Sequence, residues 1–109
     1  MLDLSPQQLE RVCAILAEHA PAILVRAFGS RLRGTAAAHS DLDLVLKGDG
    51  PVPLEVLGRL RAAFEESDLP FRVDLVDWHR ISDSFKRIIE SESEAICTAA
   101  QPADEGTSV

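Results

Sequence analysis

Asp41, Asp43 and Asp74, with the pair Gly29-Ser30, are the residues whose types and spacing suit chemistry in this sequence. Asp41 and Asp43 begin the run Asp41 to Lys47 (DLDLVLK), which alternates as a strand does. Residues two apart on a strand point to one face, so the two carboxylates stand side by side while Leu42, Leu44 and Leu46 take the other face. Paired carboxylates repel, and burying either uncompensated costs several kcal/mol, so the pattern calls for a cation. Asp74 repeats the anomaly inside the apolar run Phe71 to Asp77 (FRVDLVD). If that run pairs beside the first, all three acids converge. An oxygen-only ligand set favours a hard ion, Mg²⁺ or Mn²⁺, and magnesium leaves positions open for phosphates.

Gly29-Ser30 supplies a candidate anion site. The chain turns tightly at a glycine that ends a strand, and a phosphate can approach the bare backbone. Ser30 then falls at an expected helix N-terminus, where free N–H groups favour negative charge. Arg31 and Arg33 follow and could add charge-assisted contacts. Each piece alone also fits a plainer account: a turn and cap for Gly-Ser, a solvated strand face for Asp-x-Asp, and an ion pair of Asp74 with Arg26 or Arg72. Their joint placement is what points to phosphate and metal chemistry.

The elements needed to position these groups follow from local pattern. Ser5-Pro6 opens a helix as N-cap and first helical residue, and Leu9, Val12, Cys13, Leu16 and Ala17 recur at helical spacing. Ala22 to Phe28 predicts a strand ending at Gly29-Ser30. Arg31 to Ser40 predicts a short helix and a turn, and Gly48-Asp49-Gly50-Pro51 is turn punctuation after the second strand. A helix is expected from about Pro53 to Ser67, with Leu57, Leu60, Ala63 and Phe64 as its buried stripe. Leu69-Pro70 breaks it before the third strand, Phe71 to Asp77. A last helix is expected from Ser82 to about Ser93. The order α-β-α-β-α-β-α describes an α/β layer structure.

Length and composition set the outer bounds. At 109 residues there is room for one domain, expected over residues 1–98, with the polar tail 99–109 expected to be disordered. No separate substrate lobe is expected. A hydrophobic fraction of 46% is ordinary for a globular chain. No apolar run approaches the roughly 20 residues of a membrane span, and Met1 to Ser5 does not resemble a signal peptide, so a cytoplasmic protein is the expectation. The net charge of −7 argues against stable nucleic-acid binding. Cys13 and Cys97 are expected to be two buried thiols in a reducing compartment. They are too isolated from His19, His39 and His79 for a zinc site.

Other prominent residues have ordinary roles. Trp78 is expected to anchor the core or an interface, and His39 to be a loop residue rather than a ligand. Asp77 suits a turn or cap. Glu65, Glu66, Glu90, Glu92 and Glu94 suit solvated helix faces.

Gly29-Ser30-Arg31-Leu32-Arg33-Gly34, Ser40-Asp41-Leu42-Asp43-Leu44 and Val73-Asp74-Leu75-Val76-Asp77 together resemble the DNA polymerase β-like nucleotidyltransferase superfamily. The match covers roughly Ala22 to Ile89, and its short form is most similar to the minimal nucleotidyltransferase (MNT) group. The resemblance implies a small mixed sheet flanked by helices and a two-metal mechanism. Carried over, Asp41 and Asp43 would hold the metal ions and the nucleotide triphosphate. Asp74 would help bind the metal that activates the attacking hydroxyl, or act as its base. Ser30 and its backbone would hold the outer phosphates, with Gly29 allowing close approach and Arg31 or Arg33 adding contacts. Members of this group are often encoded beside a helical HEPN protein, and such pairs include ribonuclease toxins silenced by transfer of AMP from ATP to a tyrosine. The resemblance therefore implies an antitoxin with ATP, Mg²⁺ and a HEPN partner. The alternatives are a catalytic subunit that modifies a small molecule, and a non-catalytic antitoxin that masks its partner.

Overall fold

The computed structural model describes residues 4–29 and 41–97. The helix expected over Arg31 to Ser40 and the tail expected from residue 99 lie outside the described residues. Helix α1 (Pro6–His19) starts where the sequence requires. The Ser5 hydroxyl accepts from the Gln8 amide at 3.1 Å, and the Gln8 side chain accepts from the Ser5 amide at 3.0 Å. This reciprocal box satisfies two otherwise orphaned donors. Strand β1 (Leu24–Phe28) and strand β2 (Leu42–Lys47) follow. Helix α2 (Leu54–Glu66) leads to strand β3 (Val73–Asp77), a 3-10 turn (Trp78–Arg80), helix α3 (Asp83–Ser91) and strand β4 (Ser93–Ala95).

The four strands form one sheet in the order β3-β2-β1-β4. β2 pairs antiparallel with β1 and parallel with β3, and β4 adds antiparallel to β1. The parallel step needs a crossover, which α2 supplies. On one sheet face Val25, Ala27, Leu42, Leu44, Leu46 and Leu75 are buried beneath α1 and α2. These helices contribute Val12, Ile15 and Leu16, and Leu57, Leu60 and Phe64, at the spacing of one helical stripe. Each fully buried leucine contributes about 2 kcal/mol by area. Val45, on the other face of β2, is also fully buried, as is Ile89 of α3, and neither belongs to the main core. The Phe28 and Phe85 rings meet edge to face at 5.6 Å, tying α3 to that second face.

Several expectations are corrected. β1 and β3 are each two residues shorter at their start than their apolar runs, and Phe71 is buried in the core as loop. β4 has no apolar signature; pairing with β1, not propensity, makes it a strand. Glu94 therefore lies on a strand and Glu92 caps α3, whereas Glu90 is exposed on that helix. The cysteines are not free thiols. Cys13 and Cys97 form a disulfide, with Cα atoms 5.3 Å apart and a sequence separation of 84. The β4 pairing returns the chain beneath α1, and this closure is invisible in linear spacing. No helix among the described residues is long and apolar enough to cross a membrane.

Asp77 is buried to 6% exposure and takes the role of a structural knot. It accepts from the Val52 amide at 2.8 Å, from the His79 amide at 3.0 Å and from Arg80 at 2.6 Å. It thus caps the 3-10 turn, as its place at the strand end suggests, and also binds the loop before α2. Arg80 reaches on to the Val52 carbonyl at 2.8 Å.

Candidate functional site

Strand register assembles the site. Asp43 of β2 is the direct partner of Asp74 in the parallel pairing and of Phe28 in the antiparallel pairing. Partnered residues on adjacent strands share a face, and strands lie about 4.8 Å apart. Asp43 and Asp74 are therefore neighbours on the face opposite the main core. Asp41, two residues before Asp43, belongs to the same side by alternation. Asp43 is half-buried, whereas Asp41 and Asp74 are exposed. Two unit charges about 6 Å apart repel by roughly 3 kcal/mol at an effective dielectric near 20.

Gly29 completes the corner. It directly follows β1, so its backbone sits beside the Phe28–Asp43 pair. Its φ is +88°, and a Cβ built there would collide with the Asp43 carboxylate. The left-handed backbone favours glycine here, and a side chain would fit only if the Asp43 carboxylate swung out of its present place. Ser30 and Arg31, expected to hold phosphates, lie outside the described residues, as do Arg33 and His39.

The three acids do not form a closed cage. Among the described residues, no three Asp, Glu, His or Cys side chains converge as a ready-made ion site. They stand instead in an open row: Asp43 sits beside Gly29, and Asp41 and Asp74 line a neighbouring groove of about 520 Å³. That groove runs between β3 and the end of α2, whose Arg61, Phe64 and Glu65 form its other wall, and Arg72 also lines it. Neither suggested partner neutralises Asp74. Arg26 is committed to Ser93, donating to its hydroxyl at 2.7 Å and its carbonyl at 3.0 Å, and Arg72 makes no ion pair among the described residues.

Trp78 is an anchor, as expected. Half-buried after β3, it lies beneath the Lys47 ammonium at 4.3 Å and the Lys86 ammonium at 5.4 Å. At about 0.5–1 kcal/mol each, these contacts staple α3 to the far end of β2. His79 Nε2 donates to the Gly48 carbonyl at 2.7 Å, which places its proton on that nitrogen. Sequence pattern did not indicate Arg61 as part of a groove. It sits on the exposed face of a helix, and only the packing of α2 against β3 brings it there.

Comparison with known proteins gives concordant findings. The model of the family described as "Nucleotidyltransferase domain" matches residues 9–96. A protein of Haemophilus influenzae named "Probable protein adenylyltransferase MntA" is 46% identical over 88 residues, covering 81% of this chain and 77% of its own. A minimal nucleotidyltransferase structure aligns with a TM-score of 0.64 and 32% identity, over 80% of this chain and 87% of that one. The structure of a toxin–antitoxin with AMP-PNP aligns with a TM-score of 0.68 at 23% identity, over 80% and 70% of the two chains. The last shares the fold.

Proposed function

We infer that this chain, which belongs to the nucleotidyltransferase domain family, is an antitoxin that transfers AMP from ATP to a tyrosine hydroxyl of a cognate HEPN ribonuclease toxin. One observation carries the reading: Asp43 and Asp74 are register partners on the sheet face opposite the main core, with the Gly29 backbone pressed against Asp43. Two further facts support it. The Haemophilus relative is named as a protein adenylyltransferase, and the fold recurs in a toxin–antitoxin bound to an ATP analogue.

The donor set fits magnesium. Oxygen ligands alone are offered, in a row rather than a cage, and magnesium is usually held by one or two carboxylates together with substrate phosphates. Asp41, Asp43 and Asp74 would hold it. When bound, the metal offsets the charge of the triphosphate and the acids and makes the acceptor hydroxyl more acidic. The protein's own contribution is position. Gly29 lets backbone amides approach the phosphates where a side chain would block them, and Ser30 with Arg31 would hold the outer two. Asp74, at the mouth of the groove, takes the proton of the incoming hydroxyl. The hydroxyl oxygen bonds to the α-phosphorus as the bond to pyrophosphate breaks, so AMP remains on the acceptor and pyrophosphate leaves in line.

Co-expression with the cognate toxin tests this reading in cells. The native chain should restore growth, and the double variant Asp43→Asn, Asp74→Asn should bind the toxin without restoring it. Full protection by the double variant would mean that the chain acts by masking its partner.

A further inference from the structure

One row of residues crosses all four strands at the level of the site. Ser93 of β4 pairs with Phe28 of β1, Phe28 with Asp43 of β2, and Asp43 with Asp74 of β3. Partnered residues share a face, so β4 and the two acids belong to a single line. Gly29 follows Phe28 directly, its left-handed backbone against the Asp43 carboxylate. The placement of that corner depends on how firmly β1 is held from its β4 side.

β4 is the least self-supporting strand of the sheet. It has three residues without apolar periodicity and lies at the sheet edge. So short a strand gains little from pairing alone. Arg26 holds its first residue through two bonds to Ser93. Beyond its last residue, Ile96 is buried in the main core and donates its amide to the Val25 carbonyl at 3.2 Å. Cys97 then ties the chain to α1 through the disulfide with Cys13. Cys97 has a φ of 59°, a left-handed conformation that a side chain disfavours. Surrounding structure has to impose such a backbone, and the covalent tie to α1 is the strongest constraint on it. These are the chain's two cysteines, and both are half-buried rather than sealed in the core.

Resting on the transfer reaction above, we propose that the Cys13–Cys97 disulfide is a redox lock on the nucleotide site. In the oxidised chain β4 stays docked and the row stays in register. A dithiol reductant opens the lock in two steps. Its first thiolate attacks one of the two sulfurs, breaking the Cys13–Cys97 bond and forming a mixed disulfide. Its second thiol displaces that bond, so the reductant leaves as a disulfide and both cysteines become thiols. Two electrons and two protons pass from reductant to protein. Cys97 then relaxes to extended backbone, β4 leaves β1, and Phe28 and Gly29 lose their outer support.

The test compares the whole chain, oxidised and after dithiothreitol, well below the melting temperature of the reduced form. Reduction should speed amide exchange at Ile96 about tenfold or more, and leave Leu44 of the central strand β2 protected. With β4 docked about a tenth of the time, the Kd for AMP-PNP with Mg²⁺ should rise about tenfold. AMP transfer to the cognate toxin should fall to match, and re-oxidation should restore all three. The variant Cys13→Ser, Cys97→Ser should behave as the reduced chain with or without dithiothreitol. An unchanged exchange rate at Ile96, or an unchanged Kd for AMP-PNP, would overturn the lock. So would equal acceleration at Ile96 and Leu44, because reduction would then unfold the whole chain. Both responses in a chain that labels no toxin in either state would uphold the lock and count against the transfer reaction.

Discussion

Gly29→Ala probes the corner of the site with a single methyl group. The φ of +88° at Gly29 lies in the region where a side chain costs roughly 1–2 kcal/mol. The added Cβ would also collide with the Asp43 carboxylate, so either the β1 end or Asp43 must move. A displacement on the order of 1 Å at a reacting group can cost roughly a hundredfold in rate. The variant should therefore lose about 1–2 kcal/mol of stability by urea denaturation and roughly a hundredfold in kcat for AMP transfer. Gly58→Ala is the matched control. It lies in helix α2 with nothing within 4 Å of its would-be Cβ, so it should gain about 0.5–1 kcal/mol with unchanged transfer. The reasoning is refuted if Gly29→Ala behaves like Gly58→Ala in both assays.

Three other outcomes follow from named contacts. Asp77→Ala strands the buried Val52 amide and frees Arg80, and should cost about 2–3 kcal/mol in chemical denaturation without touching the Asp43 face. Reduction of Cys13–Cys97, or Cys13→Ser, removes a cross-link spanning 84 residues. By chain entropy that link is worth up to about 4.6 kcal/mol, so the melting temperature should fall by roughly 10 °C or more. Asp43→Asn removes one of two neighbouring charges, so its melting temperature should equal or exceed that of the native chain while transfer drops roughly a thousandfold.

How much of this was legible in sequence depended on how local the signal was. The alternation DLDLVLK placed Asp43 and Leu44 on opposite faces, and the register then set Asp43 beside Asp74 as the convergence argument required. Ser5 and Pro6 announced α1 through chemistry confined to four residues. β4 could not be seen, because Ser93, Glu94 and Ala95 have no apolar periodicity and become a strand through long-range pairing with β1. The Cys13–Cys97 bridge depends on that same closure. The groove along β3 was also hidden: Arg61 and Arg72 meet there only after α2 crosses over between β2 and β3.

The central claim is that register-paired Asp43 and Asp74 drive AMP transfer to a partner protein. Incubation with α-labelled ATP, Mg²⁺ and the cognate HEPN toxin measures this directly, with the label mapped by mass spectrometry. The account predicts AMP on a toxin tyrosine, loss of ribonuclease activity in proportion to label, and neither effect with Asp43→Asn, Asp74→Asn. A toxin that is silenced by this chain yet carries no label, although ATP is bound, would contradict it.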